Sequence, residues 1–389
     1  MSKIQRQVNL HNDSMRKVKH VHSYQLSRFL SQSSGNFLIN GGIKERRRDC
    51  LIKFICDARI KSDKTIVVFS DDVILQNKLI ELAQNGNIGK LFVCSEDYPN
   101  YDFFNGMQSN LICEYFNHLS IERGAKDTSE LNSYVDSFLS ILSSKFHLNL
   151  SSMRLFARND NLNITNSTTN QYDAEMIISS SKGGVSFRSL LNNTYQAMSL
   201  ITTELCETGL CINNLIKEDC ILFINTPAFN HEIFSIYFAM ELKSLLNQEF
   251  VCVFDDSILL DNDVMCSIVN IMKQQQQITV VVSYENIMSL NSKETVLKNF
   301  NRNLIFLNGN TPYVDLQYVL SSFGQYTHMQ SMSNSTTPPK LLFTLYRGEG
   351  ESAVSYSRDR VLLQEEYTNE ALLKGGSSSE IMVVKKLLI

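Results

Sequence analysis

The chain has 389 residues, is 43% hydrophobic and 20% charged, and carries a formal net charge of -4. Those figures describe a globular protein with a sizeable core and exclude disorder over most of the length. No run approaches the ~18 consecutive apolar residues of a membrane-spanning helix, and the start, Met1 to Arg6, lacks the apolar core of a signal peptide, so a soluble cytoplasmic protein without a membrane span is expected.

Charge is unevenly spread. Residues 1–64 hold 14 Lys/Arg against 5 Asp/Glu, which makes that segment +9 and leaves -13 for the remainder, the difference from -4. A basic N-terminal end suits a polyanion, an acidic partner or an anionic membrane surface, or is a solvated face. The nine cysteines are scattered, and Cys206 and Cys211 have no second Cys or His pair nearby to complete a zinc site. His20 and His22 form the one close histidine pair.

Residues 1–34 read as a basic arm ending in a short helix around Tyr24 to Leu30. Strand-length apolar runs follow at Asn36 to Asn40, Thr65 to Phe69 and Leu91 to Ser95. Between residues 110 and 215 helical patterning takes over, as in Leu131 to Lys145 and Leu190 to Leu205, interrupted by a polar loop at Asn159 to Tyr172. Gly183-Gly184 reads as a flexible loop. Strands resume at Ile221 to Asn225, Phe250 to Phe254, Ile278 to Ser283, Leu304 to Leu307, Leu341 to Tyr346 and Ile381 to Lys385, with loops at Gln330 to Lys340 and Lys374 to Ser379. Strands alternating with helices indicate α/β architecture, and continuous apolar runs such as Ile278 to Val282 predict a mostly parallel, doubly wound sheet covered on both faces. The expected organisation is an arm (1–34), a first core segment (35–109), a helical insertion (110–215) and a second core segment (216–389).

Three features stand in the order of a nucleotide-hydrolysing sheet. After strand Phe37 to Asn40 comes Gly41-Gly42-Ile43-Lys44-Glu45-Arg46-Arg47-Arg48, then a helix. A strand, a glycine turn and a helix start offer backbone N–H groups and a positive dipole end to phosphate. A working phosphate loop ends Gly-Lys-Ser/Thr, with the lysine on the β/γ oxygens and the hydroxyl on Mg²⁺. Counting from Gly41, those places hold Arg46, Arg47 and Arg48. Arg47 suits a phosphate as a charged fork, but Arg48 cannot ligate a metal. Gly41, Gly42, Lys44, Arg46, Arg47 and Arg48 are the nucleotide-binding candidates.

The second feature is strand Phe250 to Phe254 delivering Asp255 and Asp256 at its C-terminal end, where ligands of α/β sheets bind. Asp255 is the candidate Mg²⁺ ligand and Asp256 the acid that activates water; an Asp pair ending a strand also arises as a helix cap or turn. The third is strand Ile278 to Val282 followed by Ser283-Tyr284-Glu285, where Glu285, the third catalytic candidate beside Asp255 and Asp256, brings negative charge to the place of a phosphate or lytic-water contact.

The order of these elements, with Tyr101-Asp102-Phe103-Phe104-Asn105-Gly106-Met107 after the third strand, resembles the ATPase domain of TraG/TraD-type coupling proteins of conjugation and type IV secretion, relatives of FtsK and HerA. The C-terminal part carries the resemblance further: Asn301 to Leu307, an aromatic-rich helix to Phe323-Gly324, Ser355 to Leu363, and Gly376 to Lys385. The resemblance implies a RecA-like motor domain that binds ATP and Mg²⁺, assembles as a homo-oligomeric ring and moves DNA or delivers proteins to a secretion channel. It also makes Arg358 and Arg360 candidates for arginines acting on a neighbour's nucleotide. With the lysine and hydroxyl lost and Glu285 gained, hydrolysis is expected to be slow or absent. A pseudo-ATPase scaffold or recruitment subunit, peripheral to a membrane complex and binding protein partners or DNA, is the leading expectation; an active motor with an unusual phosphate loop is the alternative.

Overall fold

The computed structural model describes residues 9–11, 18–144, 146–158, 181–203, 208–225, 230–285, 303–307, 325–334, 350–359, 371–375 and 380–389. In chain order its first half comprises β1 (Val18–Gln25), α1 (Leu26–Gln32), β2 (Phe37–Gly41), α2 (Lys44–Lys61), β3 (Thr65–Ser70), α3 (Val73–Gln84) and β4 (Leu91–Cys94), then five helices, α4 (Ser109–Glu122), α5 (Ser129–Ser143), α6 (Leu150–Arg158), α7 (Ser181–Met198) and α8 (Ile212–Leu215). The second half comprises β5 (Ile221–Ile224), α9 (His231–Ser244), β6 (Phe250–Asp255), α10 (Asp263–Met272), β7 (Ile278–Tyr284), β8 (Asn303–Leu307), β9 (Gln325–Asn334), β10 (Gly350–Asp359), β11 (Ala371–Gly375) and β12 (Glu380–Leu388).

Ten strands form one sheet in the order β1-β12-β11-β8-β2-β7-β6-β3-β5-β4, with only β11 antiparallel to its neighbours. β2, β3, β5, β6 and β8 are buried at every residue, so their apolar runs feed helices on both faces. Alternate residues sort the core in two. Leu38, Val67, Leu222, Cys252 and Val280 belong to one cluster, packed with α4, α5 and α9; Ile39, Val68, Phe223, Val253 and Ile305 belong to the other, packed with α1, α2 and α3. Among the described residues no helix is long and apolar enough to cross a membrane, and the eight described cysteines are free thiols.

Several sequence expectations are corrected. Val18–Gln25, read as part of an arm, is a strand paired in parallel with β12. Gln325–Asn334 and Gly350–Asp359 pair as an antiparallel ribbon, although Gln330 to Asn334 was expected to be loop and Ser355 onward a Ser/Arg segment. Lys374 and Gly375 end β11, where a loop was expected. Gly183 and Gly184 lie inside α7, not in a flexible loop. A Cβ on Gly183 would stand 2.2 Å from the Glu130 carbonyl oxygen and one on Gly184 2.7 Å from the Tyr134 ring, so these glycines let α7 cross α5 at backbone contact. The predicted strand Leu341 to Tyr346, the loop Asn159 to Tyr172 and the helix ending at Phe323 fall outside the described residues.

Candidate functional site

The sheet register assembles the site. β2 lies between β8 and β7, with Asn40 opposite Tyr284 and Gly41 opposite Leu307. β7 lies beside β6, with Ser283 opposite Asp255, and β6 beside β3, with Asp255 opposite Ser70. The C-terminal ends of four adjacent parallel strands therefore present Gly41, Tyr284, Asp255 and Ser70 in a row, at the edge where α/β folds hold ligands.

The turn from β2 into α2 is tight. Gly41 and Gly42 take φ of 77° and 69°, in the left-handed region, and a Cβ on Gly42 would meet the Leu307 Cβ at 2.8 Å. α2 starts at Lys44, so residues 44–48, which would supply the second half of a phosphate loop and its invariant Gly-Lys-Ser/Thr, are already helical. The Arg46 and Arg47 amides both donate to the Ile43 carbonyl, at 3.1 and 3.3 Å.

Arg47 is 1% exposed, and its guanidinium occupies the turn. Nη1 donates to the carbonyls of Gly42 at 2.9 Å and Gly41 at 3.5 Å, while Nη2 donates to Asp256 Oδ2 at 2.7 Å and to Glu285 Oε2 at 3.3 Å. Thus Arg47, Asp256, Glu285 and the two glycines converge, with the arginine pointing inward.

Arg48 is likewise buried. Its Nε donates to Asp72 Oδ2 at 2.7 Å, and Asp72 Oδ1 caps α3 by accepting from the Ile74 amide at 3.0 Å. Burial alone would push the Asp72 carboxyl up, but the hydrogen bond and charge of Arg48 outweigh it and hold the carboxyl below the usual range. Arg47 and Arg48, read from the sequence as nucleotide-binding candidates, are both buried and paired with carboxylates of this chain. Arg46 is half-buried, and Lys44 reaches Asp71 at 3.5 Å.

Asp255 is 3% exposed and accepts from Ser70 Oγ at 2.9 Å; the same Oγ accepts from the Asp72 amide at 3.1 Å. Burial, reinforced by the charge of Asp256, pushes the Asp255 carboxyl up to about 6. Asp256 bridges two strand ends: its amide donates to the Ser283 carbonyl at 2.9 Å, and its Oδ1 accepts from the Glu285 amide at 3.0 Å. Its φ of 42° aims the side chain toward Arg47. A continuous polar chain therefore runs from Glu285 and Asp256 through Arg47 to the glycine turn, and a second from Asp255 through Ser70 and Asp72 to Arg48. Asp72 and Ser70 escaped the sequence reading, which had no means of placing the end of β3 beside Asp255; the helix-cap pattern Asp72-Val73-Ile74 was the available signal.

Of the remaining candidates, Arg358 lies in β10, opposite Tyr326 of β9, and Arg360 falls outside the described residues. The segment Tyr101 to Met107 packs beneath the helices, where the Tyr101 hydroxyl donates to Glu241 Oε2 at 2.7 Å. Glu241, also missed in the sequence, is wholly buried on α9, and burial pushes its carboxyl up to about 7. No cluster of three His, Cys, Asp or Glu side chains suited to a metal occurs among the described residues.

No protein-family model matches the chain, and no curated protein matches it. Its fold is nevertheless that of solved bacterial conjugative coupling protein structures. The trigonal TrwBdeltaN70 structure with sulphate aligns with a TM-score of 0.54 at 12% identity, over 95% of this chain and 92% of that one. The unbound monoclinic form aligns at 0.53 and 12%, over 90% and 84%. TrwB in complex with the ATP analogue ADPNP aligns at 0.51 and 12%, over 91% and 86%. The chain thus has a RecA-like fold as in TrwB.

Proposed function

We propose that this chain is a nucleotide-independent member of the coupling-protein fold, acting as a scaffold or recruitment subunit of a DNA-transfer or secretion machine, peripheral to a membrane complex. The carrying observation is the Arg47 guanidinium, which lies on the Gly41 and Gly42 carbonyls and pairs with Asp256 and Glu285. A triphosphate needs amides and a cation facing outward and a hydroxyl for its metal. Here the cation faces inward, the loop is wound into helix from Lys44, and Arg48 stands where the hydroxyl belongs. The residues present do not fit a Mg²⁺-nucleotide, and no hydrolytic step is assigned to Asp255 or Asp256.

TrwB itself has been solved with ADP and Mg²⁺; in this chain the ends of β2, β6 and β7 are arranged around an internal cation. Asp255, buried and held near 6, suits a hydrogen bond with Ser70 better than a divalent ion. Titration with a fluorescent ATP analogue and Mg²⁺ should give no saturable binding up to millimolar concentration, and phosphate release should stay at background. Saturable binding together with turnover abolished by Asp255→Ala would sink the scaffold reading and support an active motor with an unusual loop.

A further inference from the structure

Apart from the nucleotide-like site, the outer edge of the sheet is built to be extended. β1 is eight residues long and is the terminal strand; it pairs with β12 on one side, and among the described residues no strand pairs on the other. Lys19, His20, His22, Ser23 and Gln25 are exposed, and Val18, Val21 and Tyr24 are only half-buried. Since successive side chains point to opposite faces, both faces of this strand meet solvent, unlike the fully buried strands of the sheet centre. An edge strand of this length leaves a row of backbone N–H and C=O groups open to a further strand.

Charge gives the edge a sign. Val18 to Gln25 contain no Asp or Glu, and the one acidic residue of β12, Glu380, stands at its first position, before the residue paired with Val18. Lys19 on β1, Arg28 just beyond it, and Lys385 and Lys386 on β12 are all exposed. The register sets Ser23 beside Lys386 and Val21 beside Val384, so the two β12 lysines flank the C-terminal half of β1, one on each face. Five other basic residues of the N-terminal segment are matched internally, Lys44 with Asp71, Arg47 with Asp256, Arg48 with Asp72, Lys53 with Asp57 and Arg59 with Asp219. The four at the edge make no ion pair among the described residues.

We infer that β1 is a docking edge for an extended acidic segment of a protein partner, which adds to the sheet as a further strand and sets its carboxylates against Lys19, Lys385 and Lys386. Strand addition draws affinity from main-chain hydrogen bonds and specificity from alternate side chains. The open backbone edge favours a peptide over nucleic acid, whose phosphates would use the cations but leave the ladder groups of β1 unmatched.

The test uses the full chain and a labelled, end-blocked alternating Glu/Val peptide matched to β1 in length, with a Lys/Val peptide, a Glu/Val peptide N-methylated at alternate residues and a single-stranded oligodeoxynucleotide beside it. Anisotropy should show saturable binding of the Glu/Val peptide alone, weakening with salt. Amide exchange should slow across residues 18–25. Replacing Lys19, Lys385 and Lys386 by Glu should weaken binding by roughly tenfold or more, as three exposed charge pairs would. Equal binding of the N-methylated peptide would reduce the edge to a charge patch and overturn strand addition. Tighter binding of the oligodeoxynucleotide would assign the edge to nucleic acid, and absence of Glu/Val binding would leave it without the proposed role; either result overturns the inference.

Discussion

Arg47 ties the glycine turn to the ends of β6 and β7 through one buried guanidinium. Its two carboxylate partners differ in setting: the Asp256 side chain is 22% exposed and that of Glu285 60%. Exposed pairs contribute ~0–1 kcal/mol, because water competes with them. Glu285→Gln should therefore lower unfolding free energy by less than about 1 kcal/mol in urea titration. Asp256→Asn should cost about 3 kcal/mol, since it withdraws the closer counter-charge from a guanidinium that is 1% exposed. Asn is the informative replacement because it tolerates the left-handed backbone at this position. A larger loss for Glu285→Gln would contradict the assignment of Asp256 as the principal partner. At this scale the site was half legible. An apolar strand ending in two aspartates and a glycine turn before a helix are local patterns, and the sequence carried both. That Arg47 would turn inward depends on carboxylates more than 200 residues away, at 2.7 and 3.3 Å, and no local pattern encodes that.

Among the elements, legibility followed burial. The central strands announce themselves because both faces are covered and every residue can be apolar. β1 has apolar or aromatic residues only at Val18, Val21 and Tyr24, a spacing of three that resembles a weak helix more than a strand, and it is a strand because β12 pairs with it. β9, with Gln325, Thr327, His328 and Gln330, is equally polar and is held by β10. The same priority of packing over local preference makes α7 testable. Alanine is favoured over glycine in a helix interior by ~1 kcal/mol, so an isolated α7 would gain from Gly183→Ala. In the protein the new methyl would lie 2.2 Å from the Glu130 carbonyl, a distance that forces α5 and α7 apart. Overpacking costs about 1–3 kcal/mol, and because backbone must move, a net loss of 1–2 kcal/mol is expected by chemical denaturation. A stabilised variant would show that the two helices are not in backbone contact.

For the whole molecule, the buried ionisable groups set a pH profile. Asp255 and Glu241 have carboxyls raised to about 6 and about 7 from ordinary values of 3.8 and 4.5, and Lys273 has an ammonium lowered from 10.5 to about 7, in each case chiefly through burial. A carboxyl raised by folding binds its proton more tightly in the native state, so its contribution to stability falls as pH rises from the unfolded value through the folded one. For Asp255 that window is about pH 4 to 6, and for Glu241 about 4.5 to 7. A lysine lowered by folding releases its proton sooner in the native state, so its contribution rises with pH from about 7 to 10.5. Of these three contributions, the fall from the carboxylates ends near pH 7, where the rise from the lysine begins. Asp255→Asn removes one limb: relative to the parent it should gain roughly 2–3 kcal/mol at pH 8 and little at pH 4. Arg48 and Asp72 act in a different range, because a depressed carboxyl contributes above pH 4 and is lost only in stronger acid. Denaturant titrations of the parent, Asp255→Asn and Glu241→Gln across pH 4 to 9 separate these contributions. A variant gain that stays flat with pH would mean that folding does not raise the Asp255 carboxyl, and the limb assigned to it between about pH 4 and 6 would fall away.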